Sequence, residues 1–296
     1  MTTETTLPDL VLYTRANQTW EFSGIDHIDQ CRDRKHFLEY PYDITYKYNS
    51  RGFRDEEWPE YSNDLRNSIW CLGDSFTVGI GQPYSHIWPQ VLSKTLNRRT
   101  INISMDGASN DWIFRRACQI QQEIAPEVMI VLWSYTGRRE KQDVDLSDEQ
   151  RRGQSTETTF DQDLQHWIGL VSALCKHTRK IIQGVIPGFH NVPDPYRIWN
   201  QIRGDNWPLC PTDLDSYNNL EPKIKYELQS THQCDAILKS IFTLKELGLS
   251  SLQSPPFARG QIIHVETILD WARDHHHFDI LTAKWLVDHI SIELQR

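Results

Sequence analysis

The chain has 296 residues, of which 39% are hydrophobic and 11% aromatic, enough for one large α/β domain or two small ones with a real core. Its formal net charge of −9 is offset by no basic tract, which argues against a nucleic-acid partner. No apolar run approaches the roughly 18 residues of a membrane-crossing helix.

The opening residues, MTTETTLPDL, lack the basic-then-apolar order of a signal peptide. Six cysteines, at 31, 71, 118, 175, 210 and 234, form no CxxC and no tight pair. Neither a disulfide framework nor a zinc cage is expected, and a reducing compartment is. These features predict a cytoplasmic protein, with release by lysis or association with a virion left open.

Residues 1–66 are polar, aromatic and irregular, with short strand-like pieces such as DITYKYN at 43–49. They predict an N-terminal extension packed on a core domain over 67–296. From Ser68 the pattern changes. SIWCLGDSF reads as a buried strand that ends on Ser75, and a helix follows over 84–97 with Trp88, Val91, Leu92, Thr95 and Leu96 on one face. TINISMDG (100–107) reads as a second strand. Ser109 or Asn110 then caps a helix carrying Ile113, Ala117, Ile120 and Ile124 at helical spacing, which Pro126 ends.

EVMIVLWSY (127–135) is apolar at successive positions, as a central parallel strand is when both its faces are covered. Residues 138–160 read as a hydrophilic loop, Trp167 to Cys175 as a helix, RKIIQGVIPG (179–188) as a fourth strand and QIIHVE (261–266) as a fifth. Between the last two lies an aromatic, proline-containing insertion at about 189–255. Its tryptophans are candidates for stacking on sugar faces or for packing. A helix from about Ile280, with Asp279 as its natural cap, closes the chain. Strands alternating with helices predict a parallel sheet covered on both faces, with ligands outside the carboxyl ends of its strands.

Ser75 sits at such an end. A serine hydroxyl needs a base to take its proton, usually a histidine oriented by a carboxylate. WARDHHHFD (271–279) supplies both in Asp274 and His277, three positions apart before the terminal helix. Adjacent side chains diverge, so the run His275-His276-His277 is not expected to bind one metal ion.

Gly73-Asp74-Ser75-Phe76 early, Asp274-x-x-His277 late, and Asn102 with Gly107 in INISMDGASND between them resemble the SGNH (GDSL-type) hydrolase superfamily. YKYNSRGFRDEEW (46–58) is similar to the lead-in of bacterial and phage members. The resemblance covers roughly 44–140 and 260–294. It implies a three-layer α/β/α sandwich with a parallel, flavodoxin-like sheet, and a serine esterase without cofactor or metal. It implies Ser75 as nucleophile, His277 as base, Asp274 as its orienting acid, and the N–H groups of Ser75 and Gly107 as oxyanion donors. The substrate it implies is a small-molecule or glycan ester, O-acetyl groups included.

One departure stands out. The family carries Gly-x-Asn-Asp after its third strand, and here that strand runs into Trp133-Ser134-Tyr135-Thr136-Gly137. The Thr136 hydroxyl or an approaching arginine is the candidate replacement. Arg138 and Arg139, just beyond, are candidate substrate contacts or a solvated charge pair. Asn110-Asp111 reads as a helix start. An O-acyltransferase, or a carbohydrate-binding or virion accessory protein without catalysis, stays as an alternative on the same fold.

Overall fold

The computed structural model describes residues 10–12, 14–60, 62–140, 154–155, 158, 160–174, 180–187, 262–265 and 268–295. The insertion expected at about 189–255 and its tryptophans lie outside them, as does Cys175.

The N-terminal region contains a two-residue ladder of β1 (Thr19–Trp20) against β2 (Tyr46–Lys47), and two short helices, α1 (Arg34–Glu39) and α2 (Ser62–Asn67). The alternating part then runs β3 (Ile69–Gly73), α3 (Ser75–Val78), a single 3-10 turn (Tyr84–His86) and α4 (Trp88–Leu96). It continues through β4 (Thr100–Ser104), α5 (Asn110–Glu123), β5 (Val128–Trp133), a small ladder of β6 (Arg138–Arg139) with β7 (Gln154–Ser155), and α6 (Phe160–Leu174). β8 (Lys180–Val185), β9 (Ile262–His264) and α7 (Ile280–Gln295) complete it.

All the pairings of the central sheet are parallel, in the order β4-β3-β5-β8-β9. That is the flavodoxin-like order 2-1-3-4-5, and the fold is the expected α/β/α sandwich. Side-chain alternation builds the two outer layers. Trp70, Leu72, Met129, Val131 and Trp133 point to one face and pack with Trp112, Ile113 and Ile120 of α5 and Trp167 and Val171 of α6. Ile69, Cys71, Val128, Ile130 and Leu132 point to the other and meet Trp88 and Leu92 of α4 and Leu286, Val287 and Ile290 of α7. Leu10, Leu12, Phe53 and Trp58 of the N-terminal region join the first layer, with Trp58 edge-on to Trp70 at 5.4 Å. Truncating a tryptophan as buried as Trp70 costs about 3–5 kcal/mol.

Three local expectations change. The 138–160 loop holds the β6–β7 ladder, too short to show any alternation. Thr95 is exposed, its hydroxyl bonded back to the Val91 carbonyl at 2.8 Å. At α7, the Asp279 carbonyl accepts from Ala283 N–H, but Asp270 supplies the capping carboxylate, taking the N–H groups of Leu281 (2.7 Å) and Thr282 (3.0 Å). The Asp279 side chain is engaged elsewhere, by His86 Nδ1–H at 2.8 Å and by the Tyr40 hydroxyl.

Candidate active site

The carboxyl edge of the sheet carries the site. β3 ends on Gly73, where a Cβ would fall 2.0 Å from Thr77 Oγ1 and 3.0 Å from the Leu132 carbonyl oxygen, so only glycine fits as the chain turns. Asp74 then caps α3: its Oδ1 accepts from Phe76 N–H (3.0 Å), and its carbonyl accepts from Thr77 and Val78. Ser75 is the first residue of that turn of helix and is buried. The leading N–H groups of a helix have no intrahelical acceptor.

The loop before α7 meets it. The Ser75 hydroxyl donates to His277 Nε2 at 2.8 Å, and His277 Nδ1–H donates to Asp274 Oδ2 at 2.5 Å. The other oxygen, Asp274 Oδ1, accepts the N–H groups of His276 (3.1 Å) and His277 (3.0 Å). A tight turn folds acid and imidazole together, with the Ala272 N–H donating to the His277 carbonyl and His275 in the left-handed region at φ 51°. Gly81, at φ 76°, lets the loop after Ser75 approach: a Cβ there would sit 2.9 Å from Ala272 Cβ and 3.0 Å from Asp274 Oδ1.

The charges follow from burial and pairing. Burial pushes the His277 imidazole down, but Asp274, with Asp74 and Asp106 adding to it, overrides this and holds the ring above its ordinary 6.5. Burial likewise pushes the Asp274 carboxyl up. The His277 charge and hydrogen bond outweigh it and keep Asp274 below the ordinary carboxylate value. His276 differs: burial and the neighbouring His277 charge press it down to about 3, so it is neutral across the physiological range. Its ring lies edge-on to His277 at 4.9 Å, and its Nε2 is 3.3 Å from the Tyr135 hydroxyl.

The remaining candidates divide. Gly107, at φ 73°, lies in the turn after β4, and Met105 N–H donates to the Gly73 carbonyl beside it. Thr136 is buried in the turn after β5. Arg138 faces inward: its Nη1 is 3.3 Å from Asp74 Oδ2, which also accepts from the Ser134 hydroxyl at 2.6 Å, and its guanidinium lies over the Tyr135 ring at 4.9 Å. Burial raises the Asp74 carboxyl, with Arg138 and Ser134 opposing. Arg139 turns away toward Asp163 of α6 at 3.5 Å. Asn102 is buried, donating to the Thr77 (3.1 Å) and Arg54 (3.3 Å) carbonyls and so tying β4 to α3. Asn110 does begin α5, with Ser109 as its cap, and its amide also reaches β5: Oδ1 accepts from Ser134 N–H and Nδ2 donates to the Tyr135 carbonyl, each at 2.9 Å.

Tyr46 and Arg54 of the lead-in stretch, with Asp26 and Arg273, brace both loops. Arg54, fully buried, donates to the Gly79 (2.5 Å) and Gln82 (2.7 Å) carbonyls and lies over the Tyr46 ring at 4.3 Å. The Tyr46 hydroxyl accepts from Gly81 N–H and donates to Asp26, which pairs with Arg273. These contacts join positions far apart in the chain, where neither spacing nor periodicity marks them.

Among the described residues no group of three or more His, Cys, Asp or Glu side chains is arranged to hold a metal ion, and no helix is long and apolar enough to cross a membrane. No protein-family model and no curated protein matches the chain. Among solved structures it is similar to one assigned to the G-D-S-L family of lipolytic proteins, from Desulfitobacterium hafniense DCB-2. The identity is 12% and the TM-score 0.41, over 76% of this chain and 98% of that one.

Proposed function

We propose that this protein is a serine esterase of the SGNH type, cleaving an ester or O-acyl group, O-acetyl on a glycan included, by two-step acyl transfer. One observation carries the reading: the unbroken hydrogen-bond path from Ser75 through His277 to Asp274, at the carboxyl edge of a flavodoxin-like sheet. Ser75 Oγ attacks the ester carbonyl carbon while its proton passes to His277 Nε2. Asp274 holds the imidazole with Nδ1 protonated and stabilises the imidazolium that forms. The negative charge on the former carbonyl oxygen is met by the N–H groups of Ser75 and Gly107. Collapse of the tetrahedral species breaks the bond to the alcohol, which leaves with the proton from His277. Water then adds to the acyl-Ser75 carbonyl, giving its proton to His277, and the acid departs as the proton returns to Ser75.

Arg138 supports this role indirectly, since it holds the buried Asp74 that caps the nucleophile turn. Labelling with a fluorophosphonate, alongside turnover of short p-nitrophenyl esters and O-acetylated sugars, tests the proposal. Wild type is expected to label and turn over, with Ser75→Ala and His277→Ala losing about 10⁴–10⁶ in kcat. A wild type that neither labels nor hydrolyses any of these sinks it. Product analysis with an added sugar acceptor separates hydrolysis from acyl transfer.

A further inference from the structure

α3 is a single turn of helix, too short to hold itself, so its direction depends on what grips its two ends. Asp74 grips the first. At the other, Gly79 breaks the helix in the left-handed conformation, at φ 77°, and its N–H donates to the Ser75 carbonyl at 2.9 Å. The carbonyls that follow turn to Arg54. Its Nη1 donates to Gly79 at 2.5 Å and to Val78 at 3.2 Å, while Nη2 donates to Gln82 at 2.7 Å. The segment so gathered also reaches the other half of the site. Gln82 Nε2 donates to the carbonyl of Phe278, the residue after His277, and the Gly81 carbonyl accepts from Arg273 N–H at 2.9 Å. Among the described residues the Arg54 side chain bonds to backbone carbonyls and to no carboxylate. A cation buried on those terms is costly, and an apolar side chain would fill the same space without that cost.

Resting on the reading of Ser75 as nucleophile, we infer that Arg54 is a positioning residue for the reaction. It clamps the 78–82 segment, to which both turns are tied, and so fixes Ser75 Oγ against His277 Nε2. The rigid fork of the guanidinium suits that task. Two nitrogens in one plane take the Gly79 and Gln82 carbonyls together, so the segment between them cannot open. A lysine offers one compact ammonium on a flexible stem and cannot hold the same pair of carbonyls in one plane. The Tyr46 ring under the guanidinium, 4.3 Å from its central carbon, keeps the fork from swinging away. Arg54 is enclosed and acts only through the segment it holds. The effect reaches the rate because Ser75 gives its proton to His277 across a 2.8 Å bond. A misplacement of about 1 Å there costs about 10²-fold while leaving every reacting group in place.

The test compares wild type with Arg54→Lys, which keeps the charge and loses the fork, and with Gln82→Met, which keeps the bulk and loses the bond to Phe278. Each is assayed well below its melting temperature for p-nitrophenyl acetate hydrolysis and for the rate of fluorophosphonate labelling. The downfield proton resonance of the His277–Asp274 hydrogen bond is followed alongside. Arg54→Lys is expected to lose about 10²-fold in kcat, with KM little changed and the labelling rate falling in step. Gln82→Met is expected to lose less, in the same pattern. The resonance should persist in both, because that bond is made within residues 274–277. Should Arg54→Lys fail to fold, Gln82→Met decides alone. Folded variants that melt lower but keep kcat and labelling rate overturn the positioning role and leave Ser75 untouched. So does a loss confined to KM, or a resonance lost together with activity, which marks collapse of the whole site. A wild type without labelling or turnover overturns the reading of Ser75 and this role with it.

Discussion

The Arg273 guanidinium grips the Asp26 carboxylate through two bonds, Nη2 to Oδ2 at 2.6 Å and Nε to Oδ1 at 2.9 Å. The same arginine donates its backbone N–H to the Gly81 carbonyl at 2.9 Å, and the Gly81 N–H donates in turn to Tyr46, which is bonded to Asp26. A closed circuit thus joins the N-terminal region, the loop behind Ser75 and the turn that carries Asp274 and His277. The ion pair is well shielded, with 11% of the arginine side chain and none of the aspartate exposed.

Asp26→Ala is therefore expected to destabilise the fold by about 3–5 kcal/mol, because it leaves a largely shielded guanidinium without its counter-charge and the buried Tyr46 hydroxyl without its acceptor. Chemical denaturation measures this. A change below about 1 kcal/mol would show that the pair is mere surface decoration.

The pH profile of kcat/KM should rise through an acid limb centred above 6.5, since His277 must be neutral to accept the Ser75 proton and its ring is held above that value. His276 adds no second limb there, being pressed down to about 3. Asp274→Asn removes the carboxylate that raises the ring, so the limb is expected to move to lower pH. The same change lowers kcat by a factor on the order of 10⁴ through the wrong tautomer. An acid limb unmoved by Asp274→Asn would contradict the pairing.

Asn110→Ala removes both bonds that hold Ser134 and Tyr135 at the end of β5 and leaves the buried Ser134 N–H without its acceptor. A loss of about 1–3 kcal/mol in stability is expected. Asn110→Asp should fare no better, because it keeps the acceptor but turns a carboxylate oxygen toward the Tyr135 carbonyl. Comparing the two variants by thermal melting checks this; an aspartate variant as stable as wild type would refute it.

Much of the site was legible before any coordinates. Ser75 stands out because a continuously apolar strand stops at Gly73-Asp74-Ser75, and Asp274 with His277 because three positions is a spacing that a single turn can close. The resemblance named the same three residues, and the fold brings them within hydrogen-bond reach of one another. Arg138 was legible only as a charge past a strand end; that it serves Asp74 depends on how β5 and α3 lie together. Tyr135 and Asn110 carried no mark either, since a tyrosine after a strand and an asparagine opening a helix are ordinary in their own segments.

Local order came from the sequence alone: the strand and helix alternation, the two-faced apolar strands and the terminal helix from Ile280. Hydrophobic periodicity is written within ten or so neighbouring residues, and a folded sheet only has to honour it. The tertiary structure alone decided which polar groups meet. Asp270 rather than Asp279 caps α7, Arg273 reaches Asp26 across 247 positions, and Tyr135 finds His276 across 141. Each is a choice among several chemically equivalent partners. It is made by the packing of the layers, which brings one donor within reach of one acceptor and carries the others away.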